Sequence, residues 1–437
     1  MAGKDDQRLP FTGGWADRLL ATGRVAASAA HLAARQALGR TGPTDGAIGE
    51  ALAAELDRMK GMAMKVGQIL SYFDGVLPEE THAALRVLQQ GVTTLPYGKV
   101  VELVETALGA PMVELFEAFD QEPVAGASIG QVHRARVGGR AVAVKVQYPG
   151  IAGALATDLA RVRTLSHLAS LGTAIDGPSI ADEIADRFRA ECDYVAEAGS
   201  QRTFGAAWSD EPRVVVPEVV DGRSSATVLT TGWAEGQDFY AFARDADQEA
   251  RNQAGRLLMR FAHRSFFTLG AVNADPHPGN YLFPGDDRVV FLDFGCVRRF
   301  GRDFVERERD LARVVVEGRK ADFREAALAT GMVSDRAGFD FELHWKMMRH
   351  HYGPYARDKH VFTLEQVRRG MEFNGPTNPN LRRIAFPPEW IWLQRLQWGL
   401  HAVLARLGVR GSFRDFFLEI LDEPFRGLTP VGPGTPA

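Results

Sequence analysis

The segment Asp275-Pro276-His277-Pro278-Gly279-Asn280 and the triplet Asp293-Phe294-Gly295 beyond it place three oxygen-bearing side chains at a spacing that suits phosphoryl transfer. In that chemistry one aspartate orients or deprotonates the acceptor. An asparagine at the end of a D-x-x-x-x-N element, and the aspartate of a DFG triplet, then hold the magnesium ions that bridge the phosphates. Asp275 takes the first role, and Asn280 and Asp293 take the metal-binding role. A DFG triplet alone arises easily by chance and reads as a turn at a strand end. Joined to D-x-x-x-x-N and an intervening hairpin pattern, it is much harder to obtain by accident. Lys145 ends the run Ala141-Val142-Ala143-Val144, the pattern of a strand lysine that contacts nucleotide phosphates and pairs with a helical glutamate. Alone, such a lysine more often lays its stem along apolar surface.

Three further groups surround this set. The loop Ala125-Gly126-Ala127-Ser128-Ile129-Gly130-Gln131 stands where a phosphate loop would stand and is not GxGxxG, although its small residues permit close backbone approach to phosphates. Ala127, Ser128 and Gly130 are its candidate nucleotide contacts. The run Glu191-Cys192-Asp193-Tyr194-Val195-Ala196-Glu197 reads as helical, with Glu191 and Glu197 about 120° apart and Asp193 sharing a face with Glu197. The two glutamates can then address different lysines, whereas out of context the run is a solvated acidic face. The second lysine is Lys65, which with Gln68 projects from one helix face in Lys65-Val66-Gly67-Gln68.

Taken in order, Lys65-Val66-Gly67-Gln68, the Ala/Ser loop with Gly130-Gln131-Val132-His133, Glu191-x-Asp193, Asp275 through Asn280 and Asp293-Phe294-Gly295 resemble the UbiB/AarF-type atypical kinases. The resemblance implies a two-lobed, protein-kinase-like α+β fold with ATP and Mg2+ as cofactors. An N-terminal helical extension carrying Lys65 and Gln68 covers the cleft, Lys65 pairs with Glu191, and Lys145 pairs with Glu197. It also disfavours a protein substrate and points to a lipid or quinone-precursor small molecule. Three positions depart from the family pattern. Gly126 interrupts an Ala-Ala-Ala-Ser loop. Asn273 stands where bacterial relatives commonly have His, which changes the anchoring expected of the catalytic loop. Gly232 stands where an acidic residue is frequent, leaving adenine-side contacts to the backbone near Thr231 and Trp233. Two rival readings remain. One is a soluble small-molecule kinase of the aminoglycoside or choline type, which lacks the Lys65 motif. The other is a nucleotide-gated lipid-binding or scaffold protein without turnover.

The elements that must position these residues follow from texture. Residues 1–118 read as the helical extension, 119–232 as a strand-bearing N-lobe, 233–428 as a helical C-lobe and 429–437 as a disordered, Pro-rich tail. Strands are expected at 132–137 and 141–146 about a Gly138-Gly139 turn, at 214–216 and 227–231, and as a hairpin at 280–283 and 289–293. The 437 residues, 45% apolar and 24% charged, suit a large globular enzyme rather than a disordered chain. A net charge of −4 spread along the chain shows no nucleic-acid footprint. Cys192 and Cys296 lack disulfide or zinc spacing, which suits a reducing cytoplasm. No run of about 18 uncharged apolar residues indicates a membrane span. The Ala-rich amphipathic stretch 15–39 reads first as a helix packing on its own protein, and it leaves peripheral contact at the inner face of the cell membrane open. Trp390, Trp392 and Trp398 read as core, and His350, His351 and His360 show no metal-ligand pattern.

Overall fold

The computed structural model describes residues 94–127, 129–150, 192–333, 337–373, 378–384 and 388–432. Lys65, Gln68, Ser128 and Glu191, with the amphipathic stretch 15–39, lie outside the described residues. Chain contacts divide the molecule into two compact units. The described part of the first comprises residues 94–127, 129–150, 192–194 and Gly222–Thr230, and the second comprises Val195–Asp221 and the described residues from Thr231 onward.

In the first unit, β1 (Ala118–Phe119) and β2 (Ala125–Ala127) both pair antiparallel with β3 (Gly130–Val137), which pairs antiparallel with β4 (Arg140–Gln147). The strand Val228–Gly232 completes the sheet beside β4. Gly138 and Gly139 hold φ of 57° and 73°, the positive values that a two-residue hairpin turn needs to match strand twist. The β-branched Val142, Val144 and Val146 alternate inward from β4 and are almost wholly buried. The expected small-residue loop is itself a tight hairpin, with Ala125 opposite Val132 and Ala127 opposite Gly130. The helix Tyr97–Leu108 ends at Gly109 in the left-handed conformation.

The second unit is built on the helix Gln248–Phe267, started by the Asp247 carboxylate accepting from Ala250 N at 2.8 Å. Leu257, Leu258, Phe261, Ala262 and Phe266 on this helix are buried against Trp390, Leu396, Leu400 and Leu404 of the helix Pro388–Arg406 and other members of one continuous core. Trp390 and Trp392 thus belong to the core. The expected hairpin forms between Tyr281–Phe283 and Val289–Phe291. Asn280 sits instead in the 3-10 turn Pro278–Asn280, and Asp293 lies past the strand end, so both side chains leave the ladder. A second pair, Ala271–Asn273 with Val297–Arg299, flanks the segment from Asp275 to Gly295 and has no counterpart in the sequence reading. Near the C-terminus, Leu428 O accepts from Arg299 Nη1 at 2.9 Å and Val431 N donates to Thr203 Oγ1 at 3.1 Å.

Candidate functional site

Within the second unit the loop that begins at Ala274 is held at both ends by the two-stranded pair, which Ala274 N extends by donating to Cys296 O at 2.9 Å. Asn273 then staples two segments with one amide. Its Nδ2 donates to Asp293 O, and its Oδ1 accepts from Asp275 N at 3.3 Å. The departure at Asn273 therefore leaves the loop anchored, by an amide that serves donor and acceptor together. Asn280 Nδ2 reaches back to Asp275 O at 2.9 Å and Asp275 Oδ2 at 3.3 Å, while Asn280 O accepts from Leu292 N at 3.0 Å. Asp275, Asn280 and Asp293 are thereby tied into one hydrogen-bonded assembly. His277 contributes locally, accepting from Gly279 N at its Nδ1 at 3.1 Å.

Asp293 is aimed by its neighbours. Its Oδ1 accepts from Gly295 N at 2.9 Å. Phe294 is 1% exposed and packs on Phe204 with ring centroids 5.3 Å apart. Phe204 and Glu197 are two turns apart on the helix Tyr194–Ala207, and thus on one face. Glu197, 3% exposed, arrives at the same place: a methyl group on Gly295 would lie 3.3 Å from Asp293 Oδ1 and 3.5 Å from Glu197 Oε2. Gly295 therefore separates two converging carboxylates. Hard oxygen donors of this kind suit Mg2+, which binds one or two protein oxygens and completes its shell with phosphate and water. Asn280 and Asp293 fit that ion.

In the first unit, Lys145 lies opposite Val132 on β4, and its Nζ stands 4.9 Å from the centroid of the buried Tyr194 ring. Asp193 is exposed and immediately precedes the helix that starts at Tyr194, so the expected shared helical face with Glu197 does not apply to it. Gly130 has a steric rationale, since a Cβ there would sit 2.2 Å from Val146 O. Gln131 and His133 turn inward and form a closed chain. Leu95 N donates to Gln131 Oε1 at 2.7 Å, Gln131 Nε2 meets His133 Nε2 at 2.7 Å, and His133 Nδ1 meets Asp120 O at 2.8 Å. Gln131 Nε2 has only protons to offer, so His133 Nε2 accepts and Nδ1 carries the proton. Burial holds His133 below its usual pKa, in keeping with this neutral form. In the second unit Gly232, Trp233 and Ala234 line a cavity of about 870 Å³ with Glu218, Phe283 and Val290. Thr231 is bridged to Val219, and Gly232 N donates to Glu218 O at 2.8 Å.

One residue at the loop escaped the sequence reading. Arg395 Nη2, from the helix Pro388–Arg406, lies 3.1 Å from Asp275 Oδ1. The available signal was negative: the loop from Pro276 to Gly279 contains no Lys or Arg.

A hairpin-bearing helical unit with this loop, and a strand-borne lysine in the other unit, define a protein-kinase-like fold of mixed helices and sheets. Residues 87–327, more than half of the chain, match the model of the ABC1 atypical kinase-like domain, and the chain belongs to that family. The resemblance to UbiB/AarF-type kinases therefore holds. The chain is 33% identical over 263 residues to the mitochondrial atypical kinase COQ8 of Saccharomyces cerevisiae, covering 59% of this chain and 52% of that one. With the mitochondrial atypical kinase coq-8 of Caenorhabditis elegans it shares 31% identity over 396 residues, covering 84% of this chain and 50% of that one. The chain thus spans about half the length of these two relatives. Among solved structures, Rv3197 of Mycobacterium tuberculosis in complex with erythromycin matches with a TM-score of 0.66 and 30% identity, over 85% of this chain and 94% of that one.

Proposed function

We propose that the protein is an ATP- and magnesium-dependent atypical kinase or ATPase that acts in, or regulates, quinone or other prenyl-lipid metabolism. The observation that carries the reading is the bonded assembly of Asp275, Asn280 and Asp293, in which Asn280 fixes Asp275 and Asn273 ties Asp275 to Asp293. Asp275 orients an acceptor hydroxyl or water. Asn280 and Asp293 hold Mg2+, which when bound neutralises the charge on the phosphates. Lys145 holds the phosphates, and the backbone near Thr231 and Trp233 receives the base. Lys65, Gln68, Glu191 and Asp193 shape and occlude the cleft, and Ala127, Ser128 and Gly130 approach the nucleotide. Catalysis of this type consists mainly of positioning and charge stabilisation.

The lipid-linked role draws support from the COQ8-type relatives. None of the described helices is long and apolar enough to cross a membrane, and the proposed location is the cytoplasm with peripheral contact at the inner membrane face. The test is Mg2+-dependent ATP hydrolysis with and without anionic liposomes, using Asp293→Asn as background. Turnover in the wild type and a loss of about 10²-fold or more in the variant, with unchanged thermal unfolding, is expected. A normal rate in Asp293→Asn overturns the assignment. The erythromycin complex of the solved neighbour favours a second reading, a nucleotide-gated binder of hydrophobic small molecules, which gains if ATP binds and no condition gives turnover.

A further inference from the structure

The loop that carries Asp275 is seated on the helix Pro388–Arg406 at two points. A Cβ on Gly399 would lie 2.4 Å from Pro276 Cγ, so the helix backbone rests directly against the loop. One turn earlier on the same face, Arg395 Nη2 reaches Asp275 Oδ1 at 3.1 Å. Arg395 is in turn braced, its Cζ lying 5.7 Å from the centroid of the buried Trp392 ring. Against that ring stacks Arg298, Cζ to centroid 4.0 Å, from the strand that leaves the DFG triplet. The entry strand thus holds Asp275 at its main-chain N through Asn273, the helix holds its carboxylate through Arg395, and the exit strand packs behind Arg395 through Trp392.

We propose that Arg395 is a positioning residue for phosphoryl transfer: its guanidinium holds Asp275 at Oδ1 while Asn280 holds it at Oδ2, fixing the direction from which the carboxylate meets an acceptor hydroxyl or water. The loop supplies no cation of its own, and a planar guanidinium fixes a carboxylate oxygen in direction as an ammonium does not. This inference rests on the phosphoryl-transfer reading. An ordinary tertiary ion pair would serve stability alone, and the two roles separate in kinetics.

Wild type, Arg395→Lys and Arg395→Ala are compared for Mg2+-dependent ATP hydrolysis above the Asp293→Asn background, and for affinity toward MgADP and toward MgADP with aluminium fluoride. The Ala variant is expected to lose about 10–10²-fold in kcat, with KM for ATP and MgADP affinity within about twofold. The Lys variant falls between, and added guanidinium ion restores part of the Ala variant's rate. A lowered Tm with unchanged kcat per folded molecule overturns the inference. Should the Ala variant fail to fold, a Lys variant with wild-type kcat overturns it equally. If wild type shows no turnover above background and binds both complexes alike, the phosphoryl-transfer reading itself fails; with no turnover but unequal binding, binding decides. A wild-type preference for the aluminium fluoride complex that the variants lose upholds Arg395 as a positioning group, whereas an equal preference, or none in wild type, overturns it.

Discussion

Gln131 and His133 in the first unit, and Asp275 and Asn280 in the second, are motif residues whose side chains are held by hydrogen bonds, yet the two pairs are built differently. The first pair is wholly buried and electrically neutral, each group spending its hydrogen bonds on a neighbour or on backbone. The Asp275 side chain keeps 16% of its surface exposed and is held by a guanidinium and an amide. A neutral sealed chain can only hold strands and the preceding segment together. A charged, reachable carboxylate with both oxygens directed can act on another molecule. Motif membership alone does not separate the two roles; burial and charge do.

The largest expected effect tests this contrast directly. Asp275→Asn should lower turnover by about 10²-fold or more while shifting Tm little. His133→Ala should do the reverse, costing about 1–3 kcal/mol of stability by stranding Asp120 O and the Gln131 amide, with kcat of the folded fraction retained. Calorimetry and steady-state kinetics on the two variants suffice, and a His133 variant with normal Tm and abolished turnover would break the comparison. Next in size, Gly130→Ala should cost about 1–3 kcal/mol, because the added methyl meets the Val146 carbonyl rather than a movable side chain. A denaturant midpoint equal to wild type would show that the hairpin yields.

The smallest effect is a pH dependence from the core of the second unit. Burial drives His263 and His351 from 6.5 down to about 3 and His344 down to about 4. Because the unfolded chain takes protons that the fold refuses, stability should fall as pH drops below 6.5 toward those values. Glu308, which accepts from Trp390 Nε1 at 2.8 Å, is pushed by burial from 4.5 up to about 8. The fold retains its proton, so that contribution is present below pH 4.5 and is lost as pH rises through about 8. Thermal unfolding followed across pH should show both limbs. Glu308→Gln should remove only the alkaline one. An unchanged alkaline limb would assign it elsewhere.

Short-range spacing made the grouping of Asp275, Asn280 and Asp293 legible: they lie within one hairpin's length, and the local pattern alone sets their relation. The Gly138-Gly139 turn was legible for the same reason. The three-residue strands Ala271–Asn273 and Val297–Arg299 were not, because so short a run shows no period and is defined only by its partner. Asp193 was read as part of a helix that it only precedes, element ends being the least determined part of any pattern. Arg395 was invisible because it pairs across 120 residues, and a single arginine on an amphipathic helix reads as solvated surface.

The place of Gly399 and Arg395 in the chain bears on how the protein can be divided. The ABC1 family match ends at residue 327, before the helix that seats the Asp275 loop begins at Pro388. A fragment cut to the matched segment would carry every recognised motif from Lys145 to Gly295, yet would lack the surface on which Pro276 rests. The structural support of the Asp275 loop therefore extends beyond the segment by which the family is recognised. Chimeras that exchange that segment between relatives should retain an intact loop only when residues 388–406 travel with it.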